Sequence, residues 1–398
     1  MKKIIFISPH FPDTYYRFVK AIKDRGFITL GIGDAPEYEI SDELKECLDE
    51  YYVCPNMDDF ENEKNAVKYF VDKYGPIDYL ESNNEYWLRK DAILRELFDI
   101  KNGVRGKEID FYTQKSKMKI DYKKAKIPVA RFVMVEDYEQ VLEFAEKVKF
   151  PIFIKPDIGV GAHGDFKIKN KTELKKFFRE KDNSVSYIAE EFIDGDIVSF
   201  DGISNSKAQV IFMASNEFPP SIADVVKNED DVFYYTVQHV DPCLELLGKR
   251  AIKAFNVQNR YFHLEFFRAR KGKRGFYKRG DYIALETNMR PAGGYTPDLI
   301  NFANSVDTYR IWADSIAYDK TNENMNYPKF FAGVASRRDN HDYIHSDEEV
   351  ITSFPYNLCC YGRYPKIFSD AMGDRYFMAK FNSIQDMYNF RNFVEAKK

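Results

Sequence analysis

Three polar side chains on alternate positions carry the chemistry of one stretch, Tyr282-Ile-Ala-Leu-Glu-Thr-Asn-Met-Arg-Pro-Ala-Gly-Gly294: Glu286, Asn288 and Arg290. The stretch opens as an apolar run and closes in a Pro/Gly turn, the pattern of a strand ending in a loop. Residues at i, i+2 and i+4 of a strand share a face, so an acid, an amide and a guanidinium project together. Two oxygen ligands beside a fixed cation suit a hard divalent ion such as Mg2+ bound to a phosphate chain. The same spacing would serve the polar face of an ordinary edge strand, so the rest of the chain has to decide.

A second acid supports the metal reading. His263-Leu-Glu-Phe-Phe267 places Glu265 in mid-strand, and the basic, Gly-rich stretch 268–280 predicts a long hairpin back to the strand that opens at Tyr282. Glu265 and Glu286 then lie on adjacent antiparallel strands, where facing acids repel unless a cation sits between them. Upstream, the apolar strand 150–156 ends in Lys155-Pro156 and runs into Asp157-Ile-Gly-Val-Gly-Ala-His-Gly164. Gly159, Gly161 and Gly164 let backbone N–H groups approach phosphate oxygens, and Lys155 adds a point charge. Taken alone, this is also what a flexible hairpin looks like. Ala189-Glu-Glu-Phe-Ile-Asp-Gly-Asp196 is an extended segment whose edge groups and apolar side chains could read an adenine, or equally an ordinary strand with an acidic turn.

These stations need elements to hold them. A chain of 398 residues predicts two or three domains. Strands over 3–8, 27–32, 51–54 and 79–81 alternate with helices over 15–25, 63–74 and 86–98, which means an open parallel sheet. Its first turn, Ser8-Pro9-His10-Phe11-Pro12, lacks the G-x-G-x-x-G that cradles a dinucleotide, so this sheet carries no sign of NAD binding. His10 reads as a solvated loop residue, and Asn83, Asn84 and Glu85 as the cap and first turn of the helix that follows. From about residue 115 the texture changes to a basic helix over 117–124, then a compact unit with strands over 131–135, 150–156, 165–169 and 186–193 and helices over 138–147 and 172–180. A helix over 305–317 and a polar linker over 319–326 precede the last segment.

Composition removes several function classes. Hydrophobic content of 44% with 31% charged residues describes a soluble globular chain, and a net charge of −4 argues against nucleic-acid or anionic-membrane partners. The five cysteines form no C-x-x-C pair, which favours a reduced, cytoplasmic setting, with Cys359 and Cys360 as buried apolar residues. No window approaches the roughly 20 apolar residues of a membrane span. The absence of a Ser/His/Asp or Cys/His signature leaves no dedicated nucleophile.

In this order, Lys115, Lys155 with its glycine loop, Glu190–Ile193, Glu265 and Glu286-x-Asn288-x-Arg290 resemble the ATP-grasp superfamily, in particular its carboxylate–amine ligases, including L-amino acid ligases and carbamoyl-phosphate-synthetase-like proteins. The resemblance implies a mixed α/β and α+β chain: a Rossmann-like parallel-sheet domain (1–112), a two-lobed ATP-grasp domain (113–318, lid lobe about 130–195) and a C-terminal extension (319–398). It assigns Lys115 an ATP contact ahead of the lid and Lys155 the α-phosphate and adenine side. Gly159, Gly161, His163 and Gly164 belong to the mobile phosphate cover, and Glu190, Glu191, Phe192 and Ile193 to the adenine hinge. Glu265, Glu286 and Asn288 become ligands of Mg2+ (or Mn2+), and Arg290 steadies the γ-phosphate and acyl phosphate. Many members bind the ribose through a Glu two residues after the hinge glycine. Here Gly195 is followed by Asp196 and Ile197, so Asp196 would have to substitute in a shifted register.

The expected activity is an ATP-dependent ligase that activates a small carboxylic acid as an acyl phosphate and joins it to an amine. The substrates would meet Arg290 and Arg268 between the central sheet and the N-terminal domain, with His163, Glu217 and His239 as weaker candidates. Two other readings stay open: a carboxy-phosphate enzyme using bicarbonate, and a nucleotide-binding regulatory protein without turnover. The partners expected are small molecules, with room for a homodimer.

Overall fold

Four short strands at the N-terminus, Lys3–Ile7 (β1), Ile28–Gly33 (β2), Glu50–Val53 (β3) and Tyr79–Glu81 (β4), pair in parallel in the order β3-β2-β1-β4. Parallel pairs need crossovers, supplied by Tyr16–Lys23 (α1), Asp42–Cys47 (α2) and Phe60–Tyr74 (α3), and Leu88–Leu97 (α4) follows the last strand. Asp59 caps α3 by accepting from the Glu61 amide at 3.0 Å, and Gly75, at φ +77°, ends it in a conformation L-residues avoid. This computed structural model describes residues 1–159, 165–219 and 230–398. Gly161, His163 and Gly164 of the glycine loop therefore lie outside the described residues.

After Asp110–Thr113 (α5) and Lys115–Lys124 (α6) comes a small antiparallel sheet. Its strands are Phe132–Met134 (β5), Ile152–Pro156 (β6), Phe166–Ile168 (β7) and Tyr187–Glu191 (β8), in the order β5-β8-β6-β7. Two helices, Tyr138–Val148 (α7) and Lys171–Glu180 (α8), bury Val141, Phe144, Leu174 and Phe177 against Ile152, Ile154 and Ala189. Asp137 and Asn170 cap them through the Gln140 and Glu173 amides.

The remaining strands form one nine-stranded sheet. They are Gly195–Ser204 (β9), Val210–Ala214 (β10), Asn216–Glu217 (β11), Phe233–Thr236 (β12), Arg260–Ala269 (β13), Tyr282–Asn288 (β14), Phe331–Arg337 (β15), Leu358–Arg363 (β16) and Arg375–Phe381 (β17). The order is β14-β13-β9-β11-β12-β15-β17-β16, with β10 paired to β9. Alternation on β13 sorts its side chains between the two faces. Phe262, Leu264 and Phe266 pack with Met118 and Tyr122 of α6 and with Leu244, Ala251 and Ile252 of Pro242–Ala254 (α9). Tyr261, on the other face, meets Phe18 and Ile22 of α1 and Tyr309 and Trp312 of the helix Thr308–Tyr318. Helix α9 approaches closely because residue 248 is glycine. A Cβ there would stand 2.2 Å from the Phe200 ring, itself stacked on Phe262 at 5.5 Å.

Several expectations change. The helix expected over 305–317 is present as Thr308–Tyr318 (α11), but a further helix, Thr296–Asn304 (α10), precedes it; Ser305 turns into the left-handed region (φ 54°) between the two and Asp307 starts the new cap. In the C-terminal segment β15 pairs with β12, so β15, β16 and β17 extend the central sheet. Cys359 and Cys360 sit half-buried on its outermost strand rather than in the core. Among the described residues no helix is long and apolar enough to cross a membrane.

Candidate active site

The hairpin of β13 and β14 brings the two acids face to face. Glu265 pairs with Glu286 and His263 with Asn288, while on the other side of β13 Ser199 meets Glu265 and Asp201 meets His263. Two rows of polar side chains thus cross three strands on the face turned away from α6 and α9. A β-bulge between Glu265 and Phe266 shifts the register immediately beyond the acids. Helix α6 fixes the strand from behind, the Tyr122 hydroxyl donating to the Glu286 carbonyl at 3.3 Å.

Three lysines surround this pair and its approach. Lys115 opens α6, where its amide donates to the Asp157 carbonyl at 2.9 Å and Asp157 in turn takes the Ser116 amide and hydroxyl at 2.8 and 2.9 Å. The Lys115 ammonium then stands 3.4 Å from Glu286 Oε1 and donates to the Gly159 carbonyl at 3.1 Å. Lys155, buried at the end of β6, lies 3.3 Å from Glu190 Oε1. Burial opposes its charge, yet Glu190, Glu286 and Asp165 together raise its pKa. Lys119, one helical turn after Lys115, is fully buried 3.1 Å from the same Glu190 oxygen but out of hydrogen-bond alignment with it. Burial lowers the Lys119 pKa, and Lys119 with Lys155 overcomes burial to hold the Glu190 carboxyl below its usual range. Asp165 is pushed up to about 6, by burial first, with Lys155 and Lys115 opposing and the Glu286 and Glu190 carboxylates reinforcing.

Glu191 is anchored rather than open. Arg131 grips it through two hydrogen bonds of 2.6 and 2.9 Å, and Lys273 closes the other side. Past it the chain leaves β8: Phe192 lies beneath the Lys167 ammonium at 4.0 Å, and Ile193 is buried with Ala130, Ala269 and Ile283. Asp196 faces Arg270 at 2.7 Å and Arg268 at 4.0 Å. A ribose contact there would compete with two guanidinium groups.

Arg290 reaches across to the N-terminal domain, its Nε donating to Glu85 Oε2 at 2.8 Å and its Nη1 to the Pro291 carbonyl at 2.8 Å. Glu85 is therefore an ion-pair partner rather than a helix cap, and burial raises its pKa even so. Asn84 makes the local contact instead, accepting from the Tyr86 amide at 3.0 Å. His10 is not free in its loop: it lies 3.3 Å from Asp34, and burial lowers its pKa. Arg268 is not brought to the acids. It is held in a two-point pair with Glu217 at 2.7 and 3.0 Å, and Glu217 also accepts from the Tyr235 hydroxyl at 2.8 Å. His239 is exposed.

The donor set fits a Mg–nucleotide. Among the described residues no group of three or more His, Cys, Asp and Glu side chains forms a metal cage. Two carboxylates and an amide are what Mg2+ takes from a protein when water and phosphate oxygens complete its octahedron. The unaligned Lys119 ammonium and Glu190 oxygen are buried polar groups with capacity to spare in the same cleft. Lys155→Ala should weaken ATP binding by about 2 kcal/mol, the scale of a charged hydrogen bond, or roughly 30-fold in calorimetric affinity. Glu190 keeps Lys119 as its partner in that variant, so the lid sheet should still form. An affinity equal to wild type would exclude the contact.

Lys119, Glu85, Asp165 and the Asp201–His263 pair are the site groups that the strand and loop motifs did not reveal. Only Lys119 had a local signal, its position one turn after Lys115 on the same helix face.

Residues 121–213 match the family model of the ATP-grasp domain. An L-arginine-specific L-amino acid ligase from Bacillus subtilis is 24% identical over 331 residues, 79% of this chain and 75% of that protein. The L-amino acid ligase from Bacillus licheniformis superposes with a TM-score of 0.72 at 14% identity, covering 99% of this chain and 97% of the other. Biotin carboxylase from Campylobacter jejuni gives 0.69 at 14% identity, with 99% and 90% covered. In fold and in the order of its motifs the chain is thus similar to ATP-grasp enzymes, with the ATP-grasp domain itself matched over residues 121–213.

Proposed function

We propose that the protein is an ATP-dependent ligase that activates a small carboxylic acid, an amino acid by class, as an acyl phosphate and joins it to an amine. The observation that carries this reading is the polarity of the cleft. Lys155, Lys119 and Glu190 gather at the lid strands, while Glu265, Glu286, Asn288 and Arg290 gather at the far end of the hairpin. Arg290, together with a divalent ion recruited by the two acids, would set positive charge where the terminal phosphoryl group would lie, the place where charge develops when an external carboxylate attacks the γ-phosphorus. A divalent ion there would neutralise phosphate charge. The chain's own groups position the reactants: Lys155 and Lys115 hold phosphate oxygens, and Arg290, fixed by Glu85, meets the developing acyl phosphate. The carboxylate oxygen bonds to phosphorus as the bond to the β-phosphate oxygen breaks and ADP leaves. The amine nitrogen then bonds to the acyl carbon, phosphate departs, and the amine loses its proton. Similarity to two L-amino acid ligases supports an amino acid as the acid component.

Incubating the protein with ATP, Mg2+, hydroxylamine and single amino acids should give hydroxamate and ADP in equal amounts. AMP and pyrophosphate would refute the mechanism and the role of Arg290. ADP formed with bicarbonate alone would transfer the reading to a carboxy-phosphate enzyme. Tight nucleotide binding without turnover on any acid would leave the regulatory reading.

A further inference from the structure

The row Asp201–His263–Asn288 contains one ring that the proposed chemistry does not use. His263 Nδ1 stands 2.7 Å from Asp201 Oδ1, and its Nε2 stands 3.2 Å from Glu265 Oε1. Both partners are carboxylates, which only accept when ionised, so both ring nitrogens donate. Asp201 is fully buried and held from the other side: the Ser199 hydroxyl and Asn216 Nδ2 (2.8 Å) donate to Oδ2, and Thr236 donates to Asn216 Oδ1 at 2.6 Å. The chain of hydrogen bonds therefore runs from β12 through β11, β9 and β13, with every member on a strand and none on a loop.

Resting on the reading of Glu265 as a metal-facing acid, we propose that His263, locked by Asp201, is a positioning residue that orients Glu265 toward the divalent cation. Its Nε2 occupies one oxygen of Glu265 and leaves the other to the ion. Strand-borne groups keep that geometry more tightly than loop-borne ones, and hydrogen bonds to ligating carboxylates tune metal affinity. A role confined to offsetting the burial of Asp201 would need only the Nδ1 contact. The second nitrogen aimed at Glu265 is what such a role leaves unexplained. The Glu265 side chain is 24% exposed while His263 is 6% exposed, so the relay opens to solvent only at the acid.

The test uses Mn2+ as the probe and needs no turnover. Free Mn2+ is counted by electron paramagnetic resonance in the presence of ADP, for the full chain and its variants. His263→Ala should weaken Mn2+ binding by about 10- to 100-fold, with ADP affinity in metal-free buffer unchanged. In a Glu265→Gln background the same substitution should add nothing, since the two act through one contact. His263→Gln, which preserves a polar partner for Asp201, serves if the alanine variant does not fold, and should also lose Mn2+ affinity. Wild-type Mn2+ affinity in a folded His263 variant, or losses that add in the double variant, would overturn the proposal. A wild-type protein that binds ADP but no Mn2+ would instead remove Glu265 from the metal, and the positioning role with it.

Discussion

Glu286→Gln should reduce ADP formation by on the order of 10^3-fold, the scale of losing one preorganised electrostatic group, while leaving a folded protein. Glu286 faces Glu265 directly across the hairpin, so neutralising it relieves like-charge repulsion in the absence of a cation. Lys115, its nearest counter-charge at 3.4 Å, keeps the Gly159 carbonyl as a second partner. Thermal unfolding should therefore occur at or slightly above the wild-type midpoint. The two measurements, activity against Mg2+ concentration and unfolding temperature, must move apart. An unchanged rate with unchanged Mg2+ dependence would sink the assignment of Glu286.

Arg290→Ala should cost both activity and stability, for different reasons. Loss of the guanidinium from the phosphoryl end should slow turnover by about 10^2- to 10^3-fold. It also strands Glu85, a carboxylate on the N-terminal domain; the pair is only partly buried, so the cost should fall below the roughly 3–5 kcal/mol of breaking a fully buried one from one side. The pH dependence separates this from general damage. Burial already raises the Glu85 pKa with Arg290 present, and without Arg290 the folded state would hold the proton more firmly still. A carboxyl with a folded pKa above its unfolded value binds more protons in the native state, so stability falls as pH rises. Denaturant unfolding should show the variant closest to wild type at pH values below the usual carboxylate range and progressively weaker above it. A deficit independent of pH would mean that Glu85 is not the partner that matters.

Strand periodicity made most of the polar face of the β13–β14 hairpin legible. Glu265 and Glu286 stand opposite one another because a hairpin and a two-residue repeat leave little freedom, and both features are local. Lys155 was readable for the same reason, as the penultimate residue of an apolar strand. What escaped was set at a distance. Glu85 meets Arg290 across 205 positions, and Asp201 meets His263 across 62. No pattern within one element signals either meeting. Arg268 lies on the same strand as Glu265 but beyond the bulge, where it pairs with Glu217. Helix α9 had a readable start, Asp241 accepting from the Cys243 and Leu244 amides ahead of Pro242, and Pro297 marks the first turn of α10 in the same way.

The continuity of the central sheet bears on how this chain tolerates shortening. Because β15 hydrogen-bonds to β12 along Phe233–Thr236, the last three strands are not an appendage that a protease or an engineer can remove cleanly. Cutting after α11 would strip a neighbour from a strand that is otherwise interior and apolar on its inner faces, leaving a bare row of amides and carbonyls. Such an edge is a template for another molecule's strand. Among the described residues no side-chain hydrogen bond or ion pair joins this segment to the proposed nucleotide or metal ligands, yet it covers the edge of the sheet that carries them.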